Sequence, residues 1–129
     1  MKLMNKNVLY IEDNADNMLL VKRVLESRGY TVLEAKNGVQ GLSVAEHNDV
    51  DLILLDINLP DIDGYEVARQ LRSSTKHKLA YVPIIAITAN ALKGDAEKAL
   101  EAGCDVYMSK PINVRELWAR VEGFVSSPE

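Results

Sequence analysis

Cysteine and long hydrophobic runs are scarce in this chain of 129 residues. Its single cysteine, Cys104, excludes an internal disulfide and any metal site built from several thiolates, and it agrees with a reducing compartment. No apolar stretch approaches the roughly 20 residues that span a bilayer, and the short polar segment 1–7 does not resemble a signal peptide. The sequence therefore predicts a cytoplasmic protein without membrane contact.

Clusters of positive charge and nucleotide-binding motifs are also missing. The net charge is −4 and no run of lysine and arginine occurs, which argues against a nucleic-acid partner. Neither G-x-x-x-x-G-K-[ST] nor G-x-G-x-x-G is present, so nucleotide binding has no support. The apolar fraction of 47% and charged fraction of 26% are those of an ordinary globular protein. We expect one compact domain over residues 1–129.

Short aliphatic runs alternate with helical patterns along the chain. Five runs predict strands: Val8–Ile11, Thr31–Ala35, Leu52–Leu55, Pro83–Thr88 and Asp105–Ser109. Between and after them, helices are predicted over residues 15–28, 38–48, 64–72 and 92–102, with caps at Asp63 and Asn113 for the third and the last helix. The polar segment 73–81 is expected to be irregular. This alternation predicts an α/β fold, a doubly wound parallel sheet with about five helices on its two faces.

Charged and hydroxyl side chains follow four of the five predicted strands. Glu12 and Asp13 follow the first, Asp56 ends the third, Thr88 ends the fourth, and Lys110 follows the fifth. In such sheets ligands bind at the carboxyl ends of the strands, so these side chains should meet. Any one of them alone has an ordinary interpretation as a turn, cap or surface residue. Three adjacent carboxylates repel one another unless a cation neutralises them, and oxygen ligands suit Mg²⁺.

The same residues predict a phosphoryl-transfer chemistry. A carboxylate can attack phosphorus and become an aspartyl phosphate, and Asp56 is the candidate nucleophile. Such transfer depends on positioning and on neutralising the equatorial oxygens. Mg²⁺ held by Asp13 and Asp56, the ammonium of Lys110 and the hydroxyl of Thr88 would together provide that neutralisation.

Four motifs at these strand ends resemble a known family. They read "YIEDN", "LLDINLPDIDG", "IIAITA" and "YMSKPI", and in this order they look like the receiver domain of two-component response regulators. The resemblance covers essentially the whole chain. It implies the flavodoxin-like strand order 2-1-3-4-5 and a signalling domain that catalyses its own phosphorylation and slow dephosphorylation.

The resemblance also implies a role for each site residue. Asp56 would be the phosphoacceptor, and Glu12 and Asp13 the acidic pair that holds Mg²⁺, with the backbone carbonyl of Asn58 as a further ligand. The family more often has two aspartates in that pair, and the longer side chain of Glu12 is expected to reach the metal through water.

A second group of residues would respond to the phosphoryl group. By the same resemblance Thr88 is the switch hydroxyl, Tyr107 the switch aromatic, and Lys110 the lysine that pairs with the phosphate. The Lys110–Pro111 bond matches the position where the family places a cis peptide.

Within the family, the stretch from Ala91 to Ile112 looks most like DivK-type single-domain regulators and the receivers of hybrid histidine kinases. This implies a histidine kinase or a histidine phosphotransfer protein as phosphodonor. We expect no output domain, so the signal would pass to a downstream protein through helix 92–102, the fifth strand and the last helix.

The first predicted helix carries the candidate docking residues for the phosphodonor. At 100° per residue, the face expected on the sheet consists of Leu20, Val21, Val24 and Leu25. Leu19 then points away from the sheet alongside Ala15, with Met18 on the flank. Receiver domains, by resemblance, dock their histidine donor with this helix.

Two other classes of protein share part of this pattern. A phosphatase of the haloacid dehalogenase type also combines a nucleophilic Asp, Thr, Lys and Mg²⁺, but it resembles a pattern with a second Asp where this chain has Asn58. A flavodoxin-like electron carrier shares the fold, but its first loop should cradle a flavin phosphate, which the acidic "EDNAD" would repel.

Overall fold

Five parallel strands form the centre of the protein in a computed structural model that describes residues 6–89 and 94–125. The strands are β1 (Asn7–Ile11), β2 (Thr31–Ala35), β3 (Leu52–Asp56), β4 (Ile84–Thr88) and β5 (Val106–Ser109). Their order in the sheet is β2-β1-β3-β4-β5, with every neighbouring pair parallel. The predicted fold class and strand order are confirmed.

Helices connect the strands across both faces of the sheet. They are α1 (Ala15–Glu26), α2 (Gly38–His47), α3 (Gly64–Arg72), α4 (His77–Ala80), α5 (Asp95–Ala102) and α6 (Val114–Val125). Asp63 and Asn113 cap α3 and α6 as predicted, since each side chain accepts a hydrogen bond from the backbone N–H three residues later. The predicted beginning of the fourth helix at Leu92 lies outside the described residues.

Two hydrophobic clusters hold the helices on the sheet. One lies between the sheet and helices α2, α3 and α5, and the other between the sheet and helices α1 and α6. All five residues of β3 and all five of β4 are buried. These two strands have both faces covered, which explains their continuous aliphatic sequences. Cys104 is buried in the first cluster, and burial raises the pKa of its thiol to about 11.

The segment after α3 departs from its predicted irregular structure. Residues 77–80 form the short helix α4, so residues 6–89 and 94–125 contain six helices rather than the expected five or so. Leu79 lies in this turn and is buried in the first hydrophobic cluster. A single buried leucine within a polar stretch gives no periodic pattern, so the sequence did not predict this helical turn.

Helix α1 differs from the prediction in its end and in its buried face. It ends at Glu26 rather than at residue 28. The chain then turns at Gly29, whose φ is +92°. The buried residues are Met18, Val21 and Leu25, whereas Leu20 is 43% exposed. The prediction placed Leu20 on the sheet because the spacing of 100° per residue groups it with Val21, Val24 and Leu25. The helix is therefore rotated about its axis toward Met18.

Within the described part of the chain the longest helices, α1 and α6, have 12 residues. A bilayer requires a helix of roughly 20 apolar residues, and none of the described helices has the length and hydropathy to cross one.

Candidate functional site

The carboxyl ends of four strands bring the predicted site residues to one edge of the sheet. The register aligns Ile11 of β1 with Leu55 of β3, and Thr88 of β4 with Ser109 of β5. Residues that directly follow these positions therefore lie side by side. The acidic pair of β1, the aspartate of β3, the threonine of β4 and the lysine after β5 occupy neighbouring places, as the sequence predicted.

Three carboxylates converge at this edge. Glu12, Asp13 and Asp56 each offer one oxygen, and the three oxygens lie within 4.8 Å of one another. Glu12 and Asp56 are each 1% exposed, while Asp13 is exposed. A cluster of this kind repels itself and favours a bound cation, and its donors are all oxygen. These residues fit Mg²⁺, which prefers oxygen ligands and retains several waters.

Lys110 provides positive charge inside the cluster. Its Nζ lies 3.1 Å from Asp56 Oδ2 and 3.6 Å from Glu12 Oε1. Burial alone would lower the pKa of Lys110, but its hydrogen bond and ion pair with Asp56, followed by the charge of Glu12, raise the pKa above its usual value. The side chain is therefore a cation at neutral pH. The Lys110–Pro111 peptide is cis, as the resemblance implied.

The side chain of Asp56 is fixed at both oxygens. Oδ2 accepts a hydrogen bond from Lys110, and Oδ1 accepts one from the backbone N–H of Asn58 at 3.0 Å. The loop that supplies this N–H folds back onto the strand, where the N–H of Gly64 donates to the carbonyl of Ile57 at 2.9 Å. Only glycine permits that approach, because a Cβ at residue 64 would lie 2.8 Å from the carbonyl oxygen of Asp56. The carboxylate thus has one orientation at the bottom of the site.

Tyr10 is a site residue that the sequence did not reveal. It is fully buried in β1, and its hydroxyl donates to Glu12 Oε1 at 2.9 Å, while Glu12 Oε2 accepts from the N–H of Asn14 at 3.1 Å. Burial and then the negative charge of Glu12 raise the pKa of Tyr10, so its hydroxyl remains a donor. Both oxygens of Glu12 are therefore occupied by the protein, whereas Asp13 faces solvent. A tyrosine within an aliphatic strand was indistinguishable from an ordinary core residue.

We expect Tyr10→Phe to weaken Mg²⁺ binding several-fold and to lower the free energy of unfolding by about 2 kcal/mol. The change removes a buried, charge-assisted hydrogen bond and leaves Glu12 less well oriented. Calorimetric titration with Mg²⁺ and urea denaturation measure the two effects. Tyr30→Phe is the matched control, since Tyr30 packs against the same hydrophobic cluster but precedes β2, at the opposite edge of the sheet. Equal changes in both variants would contradict a specific role for Tyr10.

The two proposed switch residues occupy different environments. Thr88 is 1% exposed, and its hydroxyl donates a hydrogen bond to Asp95 Oδ2 at 3.0 Å, at the beginning of α5. Tyr107 lies on β5 with 38% of its surface exposed. In this structure the Thr88 hydroxyl is therefore bonded to α5, and the Tyr107 ring is partly exposed to solvent.

The predicted docking residues lie beside the acidic cluster but are not equally accessible. Ala15 and Leu19 are exposed, and Leu19 and the acidic pair line a groove of about 410 Å³. Met18 also borders this groove, but it is only 8% exposed and belongs to the hydrophobic core. The helical spacing placed Met18 on the flank of the helix, whereas the structure buries it, because α1 is rotated toward Met18 as described above. Leu19 remains the main apolar candidate.

A doubly wound parallel sheet with three carboxylates, a lysine and a threonine at the carboxyl ends of its strands is the arrangement that the sequence predicted for a receiver domain. Residues 8–122 match the model of the response regulator receiver domain, and the chain belongs to this family. That membership decides against the phosphatase and the electron carrier.

Individual proteins support the assignment. The chain is 38% identical, over 95% of its length and 98% of the relative's, to the polar-differentiation response regulator DivK of Brucella anthropi. Among solved structures it is similar to the receiver domain of sensor histidine kinase PA1611 from Pseudomonas aeruginosa, which has a magnesium ion in its active-site cleft. That match has 38% identity and a TM-score of 0.87, and it covers 96% of this chain and 100% of the other.

A further solved structure contains a protein partner. It is the complex of the Saccharomyces cerevisiae histidine phosphotransfer protein Ypd1 with the receiver domain of its downstream response regulator Ssk1. The match has 32% identity and a TM-score of 0.84, and it covers 95% of this chain and 91% of the other.

Proposed function

We propose that this receiver domain accepts a phosphoryl group from a phosphohistidine protein onto Asp56 in a Mg²⁺-dependent reaction. The observation that carries the proposal is the buried Asp56 carboxylate, held by Lys110 and by the N–H of Asn58 within a cluster of three carboxylates. The magnesium ion in the similar P. aeruginosa receiver and the phosphotransfer partner in the similar yeast receiver support it.

Each residue of the site has a separate role in the proposed reaction. An oxygen of Asp56 forms the new bond to phosphorus while the bond between phosphorus and the donor nitrogen breaks, and the electron pair of that bond stays with the imidazole. Lys110 neutralises one phosphoryl oxygen, and the hydroxyl of Thr88 donates a hydrogen bond to another. Mg²⁺ would neutralise the remaining charge. Asp13, Asp56 and the backbone carbonyl of Asn58 would hold the ion, and Glu12 would contact it through water.

Intact mass spectrometry tests the proposal. The protein is incubated with acetyl phosphate and Mg²⁺, and we expect its mass to rise by one phosphoryl group. EDTA should prevent the gain, and hydroxylamine should remove it, because an acyl phosphate is cleaved by that nucleophile. A chain that gains no mass, or an adduct that resists hydroxylamine, would refute the proposed chemistry.

The groove beside the acidic pair is the proposed docking place of the donor. Leu19 is 47% exposed on α1, directly beyond the acidic pair, so an apolar contact there would bring a donor imidazole close to Asp56. We expect Leu19→Lys to slow transfer from the cognate phosphohistidine protein about tenfold, the equivalent of losing roughly 1.5 kcal/mol of apolar burial. Stopped-flow or quench-flow transfer assays measure this rate.

Two controls make this prediction specific. Labelling by acetyl phosphate should be unchanged in Leu19→Lys, because a small donor needs no docking surface. Leu20→Lys should transfer at the wild-type rate, since Leu20 is similarly exposed at 43% but does not line the groove. If the two leucine variants behaved alike, the interface would lie elsewhere.

The phosphorylated state is proposed to signal to a downstream protein in the cytoplasm through α5, β5 and α6. Leu100 of α5 is 49% exposed and Tyr107 of β5 is 38% exposed, so this surface already presents apolar side chains. Movement of Thr88 toward the phosphoryl group would vacate space that the Tyr107 ring then fills. The added charge at the site would thereby change a surface that a partner can recognise.

A further inference from the structure

The amino end of α2 is capped by a carboxylate from a distant segment. The first N–H groups of a helix have no acceptor within that helix. In α2 the N–H of Gly38 donates to Asp61 Oδ1 and the N–H of Val39 donates to Asp61 Oδ2, both at 2.8 Å. The next N–H, that of Gln40, donates to the side chain of Asn37 at 2.8 Å. The helix therefore has one cap of its own and a second from Asp61, 22 residues beyond Val39.

Asp61 holds α2 with both of its oxygens although its side chain is exposed. A negative charge is favoured at the amino end of a helix. The hydrogen bond from Val39, and also that from Gly38, lower the pKa of the Asp61 carboxyl, so the group is ionised at neutral pH. Two charge-assisted hydrogen bonds fix the orientation of the carboxylate as well as its position.

Asp61 lies in the segment 57–63, which connects the phosphoacceptor strand to α3. At the beginning of this segment the N–H of Asn58 donates to Asp56 Oδ1 at 3.0 Å. At its end Asp63 caps α3. Asp61 joins the middle of the segment to α2, so the backbone around the Asn58 carbonyl is held by hydrogen bonds on both sides.

Apolar contacts extend this connection to the strand that carries the acidic pair. A Cβ on Gly38 would lie 2.5 Å from Ile62 Cγ1, so the segment packs directly on the first turn of α2. A Cβ on Gly41 would lie 2.4 Å from Ile11 Cδ1, so the same helix packs equally closely on the last residue of β1. Helix α2 thus bridges the segment 57–63 and the end of β1.

We propose that Asp61 is a positioning residue for the Mg²⁺ site. By holding the segment 57–63 on α2, it fixes the position of the Asn58 carbonyl relative to Asp13, which follows β1 on the other side of the site. This inference rests on the proposed binding of Mg²⁺ by these two residues. Asp61 does not contact the ion, and it acts through the backbone of its segment.

Titration of the variants with Mg²⁺, followed by NMR, measures this effect. Asp61→Ala should weaken Mg²⁺ binding about tenfold, because both hydrogen bonds to α2 are lost and a ligand becomes less well placed. Asp61→Asn, whose amide has one acceptor oxygen, should retain one of the two bonds and give an intermediate affinity. An affinity that is unchanged in Asp61→Ala would overturn the proposal.

Two controls separate positioning from the loss of a cap and from the loss of a charge. Asn37→Ala removes the other cap of the same helical turn, so it should lower the urea midpoint as Asp61→Ala does but leave Mg²⁺ affinity at the wild-type value. Asp63→Asn removes the same charge from the same segment and keeps the cap of α3, so it should also bind Mg²⁺ as the wild type does. If either control lost as much affinity as Asp61→Ala, the positioning role would be wrong.

Hydrogen exchange in the wild type separates this inference from the proposed function. Coupling between two sites is reciprocal, so bound Mg²⁺ should in turn stabilise the hydrogen bonds of Asp61 to α2. Exchange of the Gly38 and Val39 amides should slow several-fold in Mg²⁺, whereas that of Gln40, which is bonded to Asn37, should change much less. If the wild type binds Mg²⁺ but the three amides respond alike or not at all, the role of Asp61 is wrong and the proposed function stands. If the wild type binds no Mg²⁺, the proposed function fails and this inference fails with it.

Discussion

Asp56→Asn is expected to abolish the mass gain from acetyl phosphate completely. The amide nitrogen and oxygen of asparagine cannot replace the carboxylate as a nucleophile. Within the described residues, Asp56 alone combines a hydrogen bond from Lys110 with one from the N–H of Asn58. The asparagine side chain has nearly the same shape, so the fold should persist. Intact mass and circular dichroism measure the two outcomes.

Asp63→Asn is the matched control for that experiment. Asp63 belongs to the same loop but caps α3 by accepting from the N–H of Glu66, a role that asparagine fills equally well. This variant should therefore gain one phosphoryl group at the wild-type rate. An Asp56→Asn protein that still gained the group would place the phosphoacceptor at another residue.

Asp13→Asn is expected to weaken Mg²⁺ binding by at least about tenfold. Asp13 is the exposed member of the cluster and, in the described structure, the carboxylate best able to contact the ion directly. Removing one of three like charges also relieves repulsion, so the metal-free variant should unfold at a higher urea concentration than the wild type. Titration with Mg²⁺ and urea denaturation in EDTA measure these opposite effects.

Glu12→Gln should weaken Mg²⁺ binding less than Asp13→Asn does. The oxygens of Glu12 already accept hydrogen bonds from Tyr10 and from the N–H of Asn14, which leaves them less available to the ion. We expect glutamine to keep part of this arrangement. Equal losses of affinity in the two variants would contradict the ranking, and a larger loss in Glu12→Gln would reverse it.

Much of the fold followed from local pattern in the sequence. The aliphatic runs that became β3 and β4 had no polar face, and this is the pattern of strands covered by helices on both sides. Parallel strands place their carboxyl ends at one edge, so the residues after each run were expected to meet. The structure places Asp13, Asp56 and Lys110 together there.

What the sequence did not predict depends on contacts between distant elements. The rotation of α1 about its axis is set by its packing on the sheet. The helical spacing placed Leu20 on the sheet and Met18 on the flank, whereas Leu20 is exposed and Met18 is buried. The hydrogen bond between Thr88 and Asp95 joins the end of β4 to the first turn of α5. An acidic residue is common in the first turn of a helix, so the sequence provided no reason to expect this bond. Neither the orientation of a helix nor a partner seven residues away is contained in a local pattern.

Identification of the residue that carries the phosphoryl group tests the central claim most directly. The protein is phosphorylated with acetyl phosphate and Mg²⁺, then treated with borohydride, which reduces an aspartyl phosphate to homoserine, and digested for peptide mass spectrometry. We predict homoserine at residue 56 and an unmodified aspartate at residue 13. Homoserine at another position, or a phosphoryl group that borohydride does not reduce, would contradict the account.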